Sequence, residues 1–347
     1  MKTIPRRFNL VFGENLLKEL NDTAHRPYIV VTMKDIWPMV KDDLSEHLAQ
    51  VYFVKENTNS DILANAVNEL PKAECIIGVG GGRAIDVAKF FAWRKRLPLF
   101  SVPTSTSVNA AFTHRTGVRF NRTVKYIGWA VPEAVYVDFG LVAKAPRWMN
   151  SQGIGDIFCG HTGNYDWKLA TKRGKADHWP YDEELAAEVQ EVMEDVYANI
   201  EEVGKVSKKG IETVMRAHWK FGALYHESGW IPRPIEGSEH GFYYNLERVT
   251  GREFQHGEIV CWGIIISTLL QDNEPEKMEN YIRKAGVRLT CSEVGLSWEE
   301  VEKTIRTLSE YAQIAVDKKI PPHYTILNEA TIDDSLIKLL NKKFTSK

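Results

Sequence analysis

Residues Cys75 to Lys89 read as an apolar strand, a run of glycines and a helix: Cys-Ile-Ile-Gly-Val-Gly-Gly-Gly-Arg-Ala-Ile-Asp-Val-Ala-Lys. Gly80, Gly81 and Gly82 carry no Cβ, so the backbone there can take positive φ and bring its N–H groups close to an anion. The helix that follows supplies partial positive charge at its N-terminus. A strand feeding a helix through such a turn belongs in a parallel sheet with crossovers, and the turn is a candidate pyrophosphate cradle. It is not the G-x-G-x-x-G fingerprint, because Arg83 stands where the pattern from Gly78 requires its last glycine. A tight turn without ligand is the plainer reading of the same residues.

The flanking sequence fits an α/β layer. Tyr28 to Thr32, Val51 to Val54, Leu99 to Val102 and Ala134 to Val137 are strand-sized runs of β-branched and aromatic residues. Ile36 to Ala49, Ile62 to Leu70 and Arg83 to Trp93 are helix-like stretches between them. Gly117 to Phe120 and Val124 to Trp129 bracket Asn121-Arg122 as a hairpin inserted before the last strand. An acid after the first of these strands could hold a cofactor ribose. Asp35 is available, but the adjacent Lys34 would favour a 2′-phosphate, so NAD and NADP stay open.

Beyond Lys144-Ala145-Pro146 helical signals dominate. Tyr181 to Gly204 spaces Leu185, Val189, Val192, Val196, Ile200 and Val203 by three and four residues. Lys209 to Ser228, Ile259 to Gln271, Pro275 to Gly286, Trp298 to Val316 and Ile332 to Asn341 repeat the pattern. The expected organisation is an N-terminal Rossmann-like domain over 1–146 and an all-α domain over 147–347.

Charge narrows the partners. Lys plus Arg number 44 against 46 Asp plus Glu, a net −2, so no global positive field is present to hold nucleic acid or an anionic membrane. Ile259 to Leu270 is too short to span a bilayer. The basic start, Met1 to Arg7, runs into a mixed stretch rather than a signal-peptide core. Cys75, Cys159, Cys261 and Cys291 are scattered, which argues against a disulfide framework and a thiolate zinc site. A cytoplasmic protein with a small-molecule substrate is the expectation.

Three segments of the second half stand out: Gln152 to Asp156, Glu236 to His240, and Phe254 to Glu258. Asp156, His240 and His256 together would make a three-ligand site with an open position, the catalytic zinc pattern. By spacing alone, a helix-capping Asp and two polar His residues are the better reading.

Five motifs in order change that balance: 80–89, Ser-Val-Pro-Thr-Ser-Thr at 101–106, Lys-Ala-Pro-Arg-Trp-Met-Asn-Ser-Gln-Gly-Ile-Gly-Asp at 144–156, Gly-Ser-Glu-His at 237–240 and His-Gly-Glu at 256–258. The chain resembles the glycerol dehydrogenase and glycerol-1-phosphate dehydrogenase branch of the iron-containing alcohol dehydrogenase and dehydroquinate synthase superfamily. The resemblance implies a dehydroquinate synthase-like fold and an NAD- or NADP-linked oxidoreductase acting on a small polyol or polyol phosphate. It implies a homo-oligomer as well. It also implies that Asp156, His240 and His256 hold the metal, and that Gly80, Gly81, Gly82, Asp86, Lys89, Thr104 and Thr106 lie in the cofactor-binding segments.

Two departures matter. Iron-dependent members resemble Asp-x-x-x-His at the first ligand, whereas here Gly160 takes the fourth place and His161 follows it, which fits Zn2+ better than iron; Fe2+ and Ni2+ are the alternatives. Asn109 stands where polyol dehydrogenases usually carry a substrate-contacting Asp. With His114, Arg115, Arg119, Arg122 and Lys125 close behind, this favours a phosphorylated polyol over free glycerol. A sugar-phosphate cyclase of the dehydroquinate synthase type is the alternative; Asp156 in place of the Glu of that type speaks against it.

Overall fold

The computed structural model describes residues 8–55, 59–107, 109–120, 123–227 and 232–346. Contacts divide the chain into two compact units, Met1–Asn150 with His218–Glu227, and Ser151–Ala217 with Ser228–Lys347. A single boundary at Pro146 does not contain this return of 218–227 to the first unit.

The first unit carries β1 (Asn9–Gly13), β2 (Tyr28–Thr32), β3 (Leu48–Phe53), β4 (Cys75–Gly80), β5 (Leu99–Pro103), β6 (Thr116–Phe120), β7 (Thr123–Ile127) and β8 (Ala134–Asp138). Its helices are α1 (Leu16–Thr23), α2 (Ser60–Glu69), α3 (Gly82–Lys95) and α4 (Phe139–Val142), followed by α5 (Arg147–Ser151). Six strands form a parallel sheet in the order β1-β8-β5-β4-β2-β3, and β6 and β7 form a separate antiparallel pair. Alternation along each strand fills a core on either face, as a two-residue period requires. Tyr28, Val30, Ile77 and Val79 pack with Leu16, Leu17 and Leu20 of α1 on one side. Ile29, Val31 and Ile76 pack with Leu63 and Val67 of α2 and Ala84, Ala88 and Phe91 of α3 on the other.

The chain runs outward from β2 to β3, then returns to the far side of β2 as β4. The carboxyl ends of β2 and β4 are therefore the topological switch point, where open α/β sheets bind ligands. Thr32 pairs with Val79, so Gly80 leaves the sheet next to the residues that follow β2.

Ile36–Ala49 holds only a 3-10 turn, Trp37–Met39, before β3 begins at Leu48. Pro38 removes a donor there, and Asp42-Asp43 competes with helical hydrogen bonds. Strand β1 lies outside the strand-sized apolar runs of the sequence; its residues are mostly half-buried at the sheet edge, and its partner β8 lies far along the chain.

The second unit is helical among its described residues. It contains α6 (Gly155–Lys172), α7 (Glu183–Ala198), α8 (Ile200–Gly204), α9 (Lys208–Glu227, whose end belongs to the first unit), α10 (Ser238–Thr250) and α11 (His256–Gln271). Then follow α12 (Pro275–Ala285), α13 (Cys291–Val294), α14 (Trp298–Arg306), α15 (Leu308–Lys318) and α16 (Asp334–Thr345). The stretches expected as single helices over 181–204 and 298–316 each break once, at Asn199 and at Thr307, where ψ rises to 15° and 8°. No helix among the described residues is long and apolar enough to cross a membrane.

Candidate functional site

Helices α6, α10 and α11 meet through glycines. A Cβ on Gly155 would lie 2.3 Å from the carbonyl oxygen of Gly257, and one on Gly263 would lie 2.2 Å from that of Glu239. A Cβ on Gly237 would fall 2.9 Å from Cα of Gly163. Glycine at these positions permits backbone-to-backbone contact in all three helix pairs. That contact brings together the first turns of the three helices, which carry Asp156, His240 and His256.

The potential ligand atoms of these three side chains all lie within 4.8 Å of one another. Nε2 of His256 is 3.0 Å from Oδ1 of Asp156, and the two imidazole centroids are 5.1 Å apart. Two donors bound tetrahedrally to one ion at ordinary zinc distances are roughly 3.3 Å apart, so the cluster matches such an ion with small adjustments. Three helix N-termini add positive potential at this point. Carboxylates offset it: Asp156 within the cluster and Glu239 behind it.

Glu239 is fully buried and orients His240. Its Oε1 lies 2.7 Å from Nδ1 of His240, which donates to it, leaving Nε2 with its lone pair toward the cluster. The same oxygen accepts from the N–H of Gly237 at 2.6 Å, and Oε2 accepts from the Thr162 hydroxyl at 2.5 Å. Burial alone would raise the Glu239 carboxyl, but the hydrogen bonds from His240, Thr162 and Gly237 hold it below its usual range. For His240, burial lowers and Glu239 raises the imidazole pKa, with a net rise. Asp166 secures α10 from α6, its Oδ2 accepting the Ser238 N–H at 2.7 Å and its Oδ1 the Ile326 N–H at 2.8 Å. Burial nevertheless pushes Asp166 up to about 7. Tyr243 sets its ring edge-on to His256 at 4.6 Å.

Nothing in the sequence alone assigns a role to Glu239, Thr162 or Asp166. An acid beside a histidine has no meaning until the geometry shows which ring nitrogen it holds. Gly160, in the place of a fourth ligand, offers no side chain, and Nε2 of His161 is instead 3.0 Å from the Asn273 carbonyl. Cys159 and Cys261 are buried near the cluster, where burial and the neighbouring carboxylates raise both thiols well above their ordinary pKa. Thiols held protonated are poor metal ligands. The donor set is thus two nitrogens and one carboxylate, suited to a divalent cation.

In the first unit, Gly80 leaves β4 at φ +151°, and a Cβ there would meet the Ala84 methyl at 2.7 Å. Gly81 differs: a Cβ on it meets nothing within 4 Å, so its backbone faces open space at the start of α3. Gly82 is the first residue of α3, and Thr104 donates its N–H to the Gly80 carbonyl at 3.1 Å. Asp35 is exposed three residues beyond β2.

Other residues from the sequence reading are engaged within the unit. Lys89 is buried, 2.8 Å from Asp86, and donates to the Arg115 carbonyl at 2.5 Å and the Thr113 carbonyl at 3.3 Å. Thr106 donates its hydroxyl to the Asn150 carbonyl at 2.6 Å and its N–H to the Asn150 side chain at 2.9 Å. Asn109 opens a 3-10 turn, Asn109–Phe112. In the basic segment, His114 is buried 4.9 Å from the Trp129 ring, and desolvation lowers its pKa to about 4, so it is neutral at pH 7. Arg115 donates to the Tyr126 carbonyl at 3.3 Å, and Lys125 is exposed. Arg122 and the side chain of Arg119 lie outside the described residues.

Comparison with known proteins gives this geometry a family. The iron-containing alcohol dehydrogenase family model matches residues 12–146. A glycerol-1-phosphate dehydrogenase (NAD(P)+) of Thermoplasma volcanium is 30% identical over 270 residues, covering 77% of this chain and 73% of that protein. The chain belongs to the glycerol dehydrogenase and glycerol-1-phosphate dehydrogenase branch of the iron-containing alcohol dehydrogenases. A second relative of the same name, from Nitrosopumilus maritimus, is 25% identical over 342 residues, covering 98% of this chain and 88% of that protein. The fold matches the crystal structure of a probable glycerol dehydrogenase from Sinorhizobium meliloti 1021 with a TM-score of 0.71 at 17% identity, over 98% of this chain and 97% of that one. The family's motifs coincide with the local geometry: the glycine run at the sheet's switch point, and Asp156, His240 and His256 in three helix first turns.

Proposed function

We propose that the protein is a zinc-dependent, NAD(P)-linked dehydrogenase that interconverts a small polyol or polyol phosphate, of the glycerol type, with the corresponding ketone or aldehyde. The observation that carries this reading is the convergence of Asp156, His240 and His256 within 4.8 Å, with His240 already turned by Glu239. Two imidazoles, one carboxylate and no thiolate match catalytic zinc sites. A divalent cation held there would lower the pKa of a substrate alcohol, and the nicotinamide would take the hydride from the same carbon.

The chain's own residues prepare this chemistry. Glu239 keeps the His240 proton on Nδ1. Tyr243 limits rotation of His256, and the burial of Asp156 and His240 keeps bulk water from competing for their lone pairs. Gly80 to Gly82 and the N-terminus of α3 would receive the cofactor pyrophosphate, with Asp35 for the ribose. Lys89 and Asp86 would act indirectly, by pinning the 113–117 backbone beside α3. Asn109 would face substrate.

The test is the near-ultraviolet absorbance of reduced nicotinamide when zinc-loaded protein meets NAD+ or NADP+ and glycerol or glycerol 1-phosphate. A dehydrogenase accumulates reduced cofactor, whereas a cyclase that uses NAD transiently does not. Gly81→Ala refines the cofactor assignment. It is expected to leave the melting temperature unchanged, because its Cβ enters open space. It should weaken NAD(P)+ binding by about tenfold, or about 1.4 kcal/mol, by blocking close approach of the pyrophosphate. Unchanged cofactor affinity would move the cradle elsewhere.

A further inference from the structure

A hydrogen bond brackets the metal-facing histidine. Glu236 lies four residues before His240 and Tyr244 four after it, and the Tyr244 hydroxyl donates to Oε1 of Glu236 at 2.5 Å. The Tyr244 ring centroid is 6.2 Å from that of His240. Residues four apart share a helix face, so Tyr244 stands on the His240 side of α10. The bond back to Glu236, which precedes the helix, therefore passes the turn that presents the ligand. Glu236 is half-buried, and its Oε2 has no hydrogen-bond partner among the described residues. Glu239 is spent on Nδ1 and Asp156 belongs to the donor set, which leaves Glu236 as the carboxylate with an acceptor to offer.

We propose that Glu236, oriented by Tyr244, is the substrate-selecting carboxylate of this metal centre, accepting a hydrogen bond from a second hydroxyl of an uncharged polyol and disfavouring a phosphorylated one. The inference takes the site from the dehydrogenase reading and deepens it by naming the substrate class. An ionised carboxylate only accepts hydrogen bonds, and such charge-assisted bonds are the stronger kind. A phosphate ester would bring two like charges together, which selects against it as well as failing to supply a donor. The relatives are named for glycerol 1-phosphate, so Glu236 would separate this chain from them.

The experiment measures equilibrium binding of glycerol, 2-propanol and glycerol 1-phosphate to zinc-loaded wild type, Glu236→Gln and Tyr244→Phe, with zinc content determined on each sample. Wild type is expected to bind glycerol about tenfold more tightly than either of the other two. Glu236→Gln should bring the ratio of glycerol to glycerol 1-phosphate affinity close to one at unchanged zinc content. Tyr244→Phe keeps the charge but releases the carboxylate; it should weaken glycerol severalfold and leave phosphate excluded. Preference for the phosphate ester in wild type, or an unchanged ratio in Glu236→Gln, overturns the proposal, as does zinc loss in both variants. Cofactor reduction is followed on the same samples. The expected binding pattern without reduction would refute the dehydrogenase reading alone, and reduction without the pattern would refute the role of Glu236 alone.

Discussion

Replacing His256 with alanine is expected to strip the bound metal and nearly all turnover from a protein that still folds. His256 opens α11 with its side chain 24% exposed, so truncation opens a gap that reaches solvent at the first turn and not a sealed core cavity. Its loss reduces the donor set from three to two, below what catalytic zinc sites use. Removing a mere supporting partner of a ligand already costs about 10–100-fold in metal affinity, and removal of the ligand itself should exceed that. Turnover should fall by at least about a thousandfold, since the metal supplies several kcal/mol of charge stabilisation. His256→Ala protein with stoichiometric zinc and a normal rate would remove His256 from the centre.

The second large effect is expected from a residue with no functional group. In Gly155→Ala the new methyl would sit 2.3 Å from the Gly257 carbonyl oxygen and 3.0 Å from its carbon and Cα. All three are backbone atoms, so relief requires α6 and α11 to separate. Overpacking of this kind costs about 3 kcal/mol at the upper end of the usual range, a fall in melting temperature on the order of 10 °C for a unit of this size. Asp156 and His256 are the next residues on either side of the contact, so separating the helices also parts the donors. Loss of metal affinity should therefore accompany the lower stability. Melting within a degree or so of wild type would show that the helices give way locally and that glycine is not what sets their approach.

The two halves of the chain differed in how much could be read from sequence. In the α/β unit the strands β2, β4, β5 and β8 are legible because each is a short apolar run ended by turn residues, and the glycine run is a local signal. β1 escaped because an edge strand needs no continuous apolar run. Helix breaks at Asn199 and Thr307 escaped because apolar spacing continues across them. In the helical unit, periodicity locates helices but says nothing about which first turns meet. Gly163 and Gly263 lie inside helices, where glycine is unfavourable by about 1 kcal/mol, and Gly155 opens one; tertiary contacts explain all three. The three candidate ligands were accessible through family motifs, whereas Glu239 and Glu236 acquire meaning only from the atoms they face. The basic segment after Asn109 looked like an anion site as a charge count; burial of His114 between aromatic rings removes one of those charges.

The central claim is that an N2O donor set built from Asp156, His240 and His256 binds a divalent cation. X-ray absorption at the zinc edge on the zinc-loaded protein tests it most directly. The expected spectrum has nitrogen and oxygen neighbours only, at about 2.0–2.2 Å, with the outer-shell signature of two imidazoles. A sulfur neighbour at about 2.3 Å, drawn from Cys159 or Cys261, or a protein that retains no zinc, would contradict the account.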